Sequence, residues 1–299
     1  MRNLRRREQQ LDSLFGAFCD ERRDQVARAT LRNYEVEWAS FCRWARSQVE
    51  PLVVSNELLQ GYVDHLAVTR NSVGVNTGWR QLRPFLNWLR AEGHLGFVPA
   101  VRVPKQSKER KMPLSDDEVR ALLKACLNPR DKAMLLLILD TGLRSREVRE
   151  LRRSEVDLAG RMVWVASGKG GKSRQVPFSS ATARALRGWD EVREPETPWF
   201  FHNADHEYGT QMSVWHVNRT FARLGERAGI VGPVGPHRLR HTFGRSFIAQ
   251  GGDVYSLQRM LGHTTLSTSM IYVNLSGRDL ANVHRQVSPV VSVLYEKKE

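Results

Sequence analysis

The chain has 299 residues, with 46 lysines and arginines against 32 aspartates and glutamates and a formal charge of +14. A hydrophobic content of 41% with 26% charged residues excludes a mainly disordered or fibrous chain, and the length suits two domains of about 100–200 residues each. The longest aliphatic stretch, Met134 to Leu139, is far short of the roughly 20 residues of a membrane span, and the basic N-terminal segment, broken by Glu8 and Asp12, has neither the apolar run of a secretory signal nor the composition of a transit peptide.

Along the chain, Thr30 is placed to cap a helix with an apolar stripe at Leu31, Tyr34, Trp38, Phe41 and Ala45. Leu58, Tyr62, Val63 and Leu66 form a second stripe. After a polar, turn-like segment from Thr69 to Thr77, a third runs through Trp79, Leu82, Phe85, Leu86 and Leu89. These helices predict a compact bundle over 10–98, with Arg80, Arg83 and Arg90 off the stripe and free to face phosphates. Residues 99–113 carry three prolines among lysines and arginines without helical period, which reads as a basic linker whose Lys105 and Lys108 suit phosphate contact.

Beyond it, Ser115 and Glu118 form a capping box ahead of a helix, and Asp131 to Asp140 is a strongly apolar helix ended by Thr141-Gly142. Arg161 to Ala166 and Gln175 to Phe178 read as two short strands joined by a Gly-rich hairpin over 167–173. Helices resume near Ala181, Met212, His237, Val254 and Thr268, so the fold class is mainly α with one small antiparallel sheet. A catalytic domain over 114–287 and a tail over 288–299 complete the expected organisation.

The positive balance is spread over both halves, +6 up to Arg110 and +8 beyond it, which points to a long polyanion such as nucleic acid. Cys19, Cys42 and Cys126 have neither metal-ligand spacing nor a disulfide framework, and a reducing cytoplasm is the natural setting.

Four segments of the second half concentrate reactive side chains: TGLRSREV (141–148), SGKGGKSRQVP (167–177), PHRLRH (236–241) and LGHTTLSTSMIY (261–272). Arg144 and Arg240 offer guanidinium forks for phosphodiester oxygens. Lys169, on the Gly-rich hairpin, can reach a leaving oxygen, with Lys172 as its rival. His237 and His263 can take or hold a proton near neutral pH. Tyr272 becomes a nucleophile if cations surround its phenol. No carboxylate cluster suited to magnesium accompanies them, and no cofactor or metal is called for. His237 and His241 have zinc-ligand spacing, but the arginines between them oppose a divalent cation, and His241 is expected to pack beside the site. The tail of a P-loop at Gly171-Lys172-Ser173 leads into a strand where that motif needs a helix. Together the set suits metal-independent phosphoryl transfer through a covalent phosphotyrosine.

On these motifs the chain resembles the tyrosine recombinase (phage integrase) family, of a simple two-domain, Xer-like type. The resemblance runs continuously from Leu114 to Tyr272 and more loosely through Thr30, Tyr34, Phe41 and Trp44. Gly244 stands where the family commonly has Ala, and Val273-Asn274 where Thr-His is frequent. The resemblance implies a SAM-like core-binding bundle before the catalytic domain, and the catalytic set Arg144, Lys169, His237, Arg240, His263 and Tyr272. It implies double-stranded DNA with paired inverted half-sites as partner, two protomers per site and four in a synapse, a Holliday-junction intermediate, and a monomer away from DNA. Two domains on a basic linker would suit a clamp around duplex DNA, and the short N-terminal segment leaves no room for an added arm-binding domain. Val290, Val291, Val293 and Leu294 in the tail could pack on a neighbouring protomer or on their own. The alternative readings are relaxation of the type IB topoisomerase kind and a non-catalytic architectural DNA-binding protein.

Overall fold

The apolar stripes of the first half fold as helices in a computed structural model that describes residues 2–48, 53–105, 112–166, 173–203, 209–270 and 272–273. The chain divides into two compact units, Met1–Arg110 and Lys111–Glu299.

The first unit holds α1 (Arg2–Arg22), α2 (Arg28–Ala45), α3 (Asn56–Thr69) and α4 (Ser72–Ala91). Helix α1 is an addition to the predicted bundle: Phe15 and Phe18 enter its core, and the Phe15 ring stacks on Trp38 at 5.3 Å and meets Phe85 edge-on at 5.0 Å. Helix α2 starts two residues before Thr30, behind an extended Ala27 whose side chain cannot cap it. The predicted turn over Thr69 to Thr77 shrinks to Arg70 and Asn71, because the Asn71 side chain accepts the Gly74 N–H and starts α4 there. The predicted stripes are the buried faces, except that Tyr34, Leu58 and Trp79 are only half-buried. Residues 100–105 run along the same unit: the Ala100 and Arg102 N–H groups donate to Asn56 and Gln60, the Asn76 amide donates to the Pro104 carbonyl, and Val101 and Val103 pack on the core.

The second unit begins with α5 (Asp116–Ala125), whose Ser115–Glu118 capping box is formed on both sides, and α6 (Pro129–Thr141), capped by Asn128. After α7 (Ser145–Glu150) and one 3₁₀ turn come β1 (Val156–Asp157), β2 (Met162–Val165) and β3 (Arg174–Pro177). They form an antiparallel sheet in the order β1-β2-β3, with Val163 opposite Val156 on one side and Val176 on the other. The two-residue β1 is too short to show periodicity in the sequence. Helices α8 (Ser180–Asp190), α9 (Val214–Arg227), α10 (Pro236–Ala249), α11 (Val254–Leu261) and α12 (Leu266–Met270) follow. Helix α6 is the hub, with Ala133, Met134, Leu135, Leu137 and Ile138 all essentially inaccessible. No helix among the described residues is long and apolar enough to cross a membrane. The predicted hairpin loop with Lys169 and Lys172, Lys108, and the C-terminal helix and tail lie outside the described residues.

Candidate active site

The site is assembled at the ends of helices, where glycines let backbones approach. Helix α6 stops at Gly142, which takes φ +66°. A Cβ there would lie 2.5 Å from Leu261 and 2.7 Å from Phe243, so only glycine fits between α10 and α11. Its carbonyl is thereby presented to Arg240, whose Nη1 donates to it at 2.6 Å. Leu143 then drops into the core and leaves Arg144 as the first residue before α7. Gly262 plays the same part at the end of α11, with φ +63°. The carbonyls on either side of that turn serve the two arginines: Arg240 Nη2 donates to Leu261 at 2.7 Å and Arg144 Nη2 to Gly262 at 3.4 Å.

Arg240 is 4% exposed and also bonds His263 Nε2 at 2.9 Å. A guanidinium can only donate, so Nε2 carries the lone pair and the ring proton sits on Nδ1, 2.8 Å from Ser269 Oγ. Burial, then the charges of Arg240, Arg144 and Arg174, push the His263 imidazolium down to a pKa of about 4, so the ring is neutral at physiological pH. Burial and then Arg144 push Arg240 down to about 10, which still leaves it charged.

One carboxylate sits among these cations. Glu147 accepts from the Arg144 backbone N–H at 2.8 Å and from its Nη1 at 2.9 Å. It also takes both Arg174 terminal nitrogens, each at 2.9 Å, while Arg174 Nε donates to the Met260 carbonyl at 2.7 Å. Burial alone would raise the Glu147 pKa, but the Arg174 and Arg144 bonds outweigh it and hold the carboxyl below its ordinary range. Two guanidiniums therefore grip one carboxylate with Arg240 as a third cation close by, and the Arg144 side chain stays 45% exposed.

Tyr272 lies just past α12, its N–H bonded to the Ser269 carbonyl at 3.1 Å. Its ring fills the space a Cβ on Gly244 would take, 2.8 Å from Cε1 and Cζ, and meets the His241 ring at 5.2 Å. Burial raises the phenol's pKa, while Arg240 and Arg144 pull it back.

Arg144, Arg240, His263 and Tyr272 are thus brought together. His237 is exposed on the first turn of α10, one turn before Arg240. His241 packs on Tyr272, as the sequence suggested. In the first unit Arg80 and Arg83 are exposed on α4, and Lys105 is exposed on the strand-like run that follows. Sequence reading missed Arg174 and Ser269. Arg174 was within reach, because β3 alternates with Val176 buried, and a residue two before it faces the same side. Ser269 is three residues before Tyr272 on a helical turn, the spacing that shares a face.

The phage integrase family matches residues 98–278. The chain is 36% identical to the tyrosine recombinase XerC of Yersinia pestis over 218 residues, 70% of each chain. It is 30% identical to the XerC of Mannheimia succiniciproducens over 281 residues, 89% of this chain and 92% of that one. A solved structure of the Tn1549 transposon integrase in complex with transposon right-end DNA shares the fold, with a TM-score of 0.70 and 15% identity over 91% of this chain and 98% of that one.

Proposed function

The chain belongs to the phage integrase family and is a site-specific tyrosine recombinase, and from that premise we propose that Tyr272 is the nucleophile that cuts and rejoins duplex DNA. The Tyr272 phenolate oxygen forms a bond to the scissile phosphorus as the bond to the 5′ oxygen breaks, giving a 3′-phosphotyrosyl link and a free 5′-hydroxyl. The phenol proton passes to His237, which is placed one turn from Arg240 on α10. Lys169 protonates the departing 5′ oxygen. Attack by a 5′-hydroxyl of the partner strand reverses these transfers and restores the diester, so no ATP is consumed.

Arg144 and Arg240 take the non-bridging oxygens, where preorganised donors lower the barrier most. The observation that carries this reading is the convergence of Arg144, Arg240 and His263 on the turn that holds Tyr272, where the two guanidiniums offset part of the burial that raises the phenol's pKa. His263 contributes by position, since both ring nitrogens are engaged, one by Arg240 and one by Ser269. No metal enters the scheme, because the charge is met by side chains. The Tn1549 integrase, solved with transposon right-end DNA, supports a DNA partner; the reading extends to double-stranded DNA with inverted half-sites, bound two protomers to a site and four to a synapse through a Holliday junction, in the cytoplasm. Arg80, Arg83, Lys105, Lys108 and Lys172 supply phosphate contacts, which makes binding strongly salt-dependent.

The test is a nicked suicide duplex built on the site recovered by selection from random DNA. The wild-type chain should form a denaturation-resistant DNA adduct that maps to Tyr272, also with chelator present. An adduct on another residue would overturn the assignment.

A further inference from the structure

Arg174, at the start of β3, lies outside the proposed catalytic set, yet it makes three hydrogen bonds at the site. Its side chain is 13% exposed. Its two terminal nitrogens grip both Glu147 oxygens at 2.9 Å, and its Nε holds the Met260 carbonyl at 2.7 Å. It also lies flat against the α11 turn: a Cβ on Gly262 would sit 2.9 Å from Arg174 Nη1 and 3.1 Å from its Cζ. One guanidinium thus joins three pieces of chain, namely the start of β3, the first turn of α7 and the end of α11.

Two of those pieces lead to members of the proposed catalytic set. Helix α7 begins at Arg144, held by Glu147 through its backbone and its side chain. The α11 turn leads into His263 and supplies the Leu261 carbonyl to Arg240.

We propose that Arg174 is a positioning residue for strand cleavage: by gripping both oxygens of Glu147 it fixes the carboxylate that also holds Arg144 and takes up its charge, so that Arg144 is oriented but keeps positive charge for a phosphate. Glu147 has two guanidinium partners. With Arg174 in place, the Glu147 charge is shared between two guanidiniums, and Arg144, held by Glu147 and the Gly262 carbonyl, keeps an exposed face and surplus charge for a phosphate. Without Arg174, a half-buried carboxylate has Arg144 as its one remaining cation and draws it away from the substrate. The inference rests on the reading of Arg144 and Tyr272 as catalytic.

The experiment uses the full chain and single-turnover adduct formation on the nicked suicide duplex, with binding to the same duplex measured in parallel. Arg174→Gln should slow adduct formation by about 100-fold with the DNA Kd held within about threefold, as misplacement of a reacting group without loss of binding predicts. Glu147→Gln should cost about tenfold, and the double variant E147Q/R174Q should be several-fold faster than R174Q alone, because neutralising Glu147 releases Arg144. Arg174→Lys keeps the charge but loses the fork, and should cleave about tenfold slower with unchanged binding; it also tests the idea if R174Q folds poorly. Wild-type rates in R174K, or losses in the double variant that simply multiply, would overturn the proposal. Tyr272→Phe runs alongside. If it still forms the adduct, the reading of the site itself has failed; if it loses the adduct while R174K and R174Q cleave normally, only the role of Arg174 has failed.

Discussion

Each unit encloses one glutamate against arginine, and the two arrangements differ in a way that separates holding a fold from holding an anion. In the first unit Glu37 is 3% exposed; its Oε1 takes the Tyr62 hydroxyl at 2.6 Å, and Arg70 spans both oxygens at 3.0 and 3.3 Å. Helix α4 closes over them at Gly78, where a Cβ would come within 2.7 Å of Glu37 Oε1. One carboxylate meets one guanidinium and one phenol, so the charge of the carboxylate is matched within the protein. In the second unit two guanidiniums share Glu147 and Arg240 stands close by as a third, so two positive charges remain over, and the Arg144 side chain stands nearly half in solvent. A balanced cluster has nothing left for a ligand. An unbalanced one is costly until an anion arrives, and a phosphodiester is the anion that this charge and this donor geometry fit.

The sharpest break in that comparison comes from Tyr272→Phe, which removes the oxygen proposed to attack and should abolish the covalent adduct while DNA binding persists. Next is a matched pair of truncations. Arg144→Ala removes a half-exposed arginine from the unbalanced cluster and should slow cleavage by about 10²–10³ with little change in melting temperature. Arg70→Ala removes the only guanidinium from the balanced one and should cost about 3–5 kcal/mol of stability by stranding the Glu37 charge, read by denaturant unfolding. Equal loss of stability in both would erase the distinction. A smaller effect is expected from Gly244→Ala, where the new Cβ meets the Tyr272 ring at 2.8 Å. The ring must move away from α10, and adduct formation should slow several-fold, about tenfold at most. An unchanged rate would show that the ring leaves that position before it reacts.

Much of this was legible from residue order, for reasons that differ between elements. The helical stripes of α2, α3 and α4 could be read because burial imposes a period of 3.6 on apolar residues. The capping box at Ser115 and the stop at Gly142 could be read because local hydrogen bonds and positive φ restrict residue type. Helix α1 escaped because its polar residues outnumber Phe15 and Phe18, the pair that packs into the core. In the site, Arg144, Arg240, His263 and Tyr272 sit in compact motifs, whereas Arg174 reaches Glu147 across 27 positions. Only the tertiary fold brings those two together, and a strand arginine looks the same on paper whether it meets solvent or a carboxylate.

The last and smallest effect tests whether the surplus charge is real. Burial, and then the cations around it, hold the His263 pKa at about 4, against 6.5 for the free side chain. Between those values the unfolded chain holds a proton that the folded one refuses, so folding is opposed more strongly as pH falls through that window. Stability from this group is therefore complete above about pH 6.5 and declines towards pH 4. His263→Asn takes away the titrating ring. The difference in melting temperature between wild type and variant should therefore narrow or reverse on moving from pH 7 to pH 4.5, with the wild type losing more. If the two lose stability in parallel, His263 titrates normally in the folded protein, and the cluster around it carries less uncompensated positive charge than its three arginines and one glutamate imply.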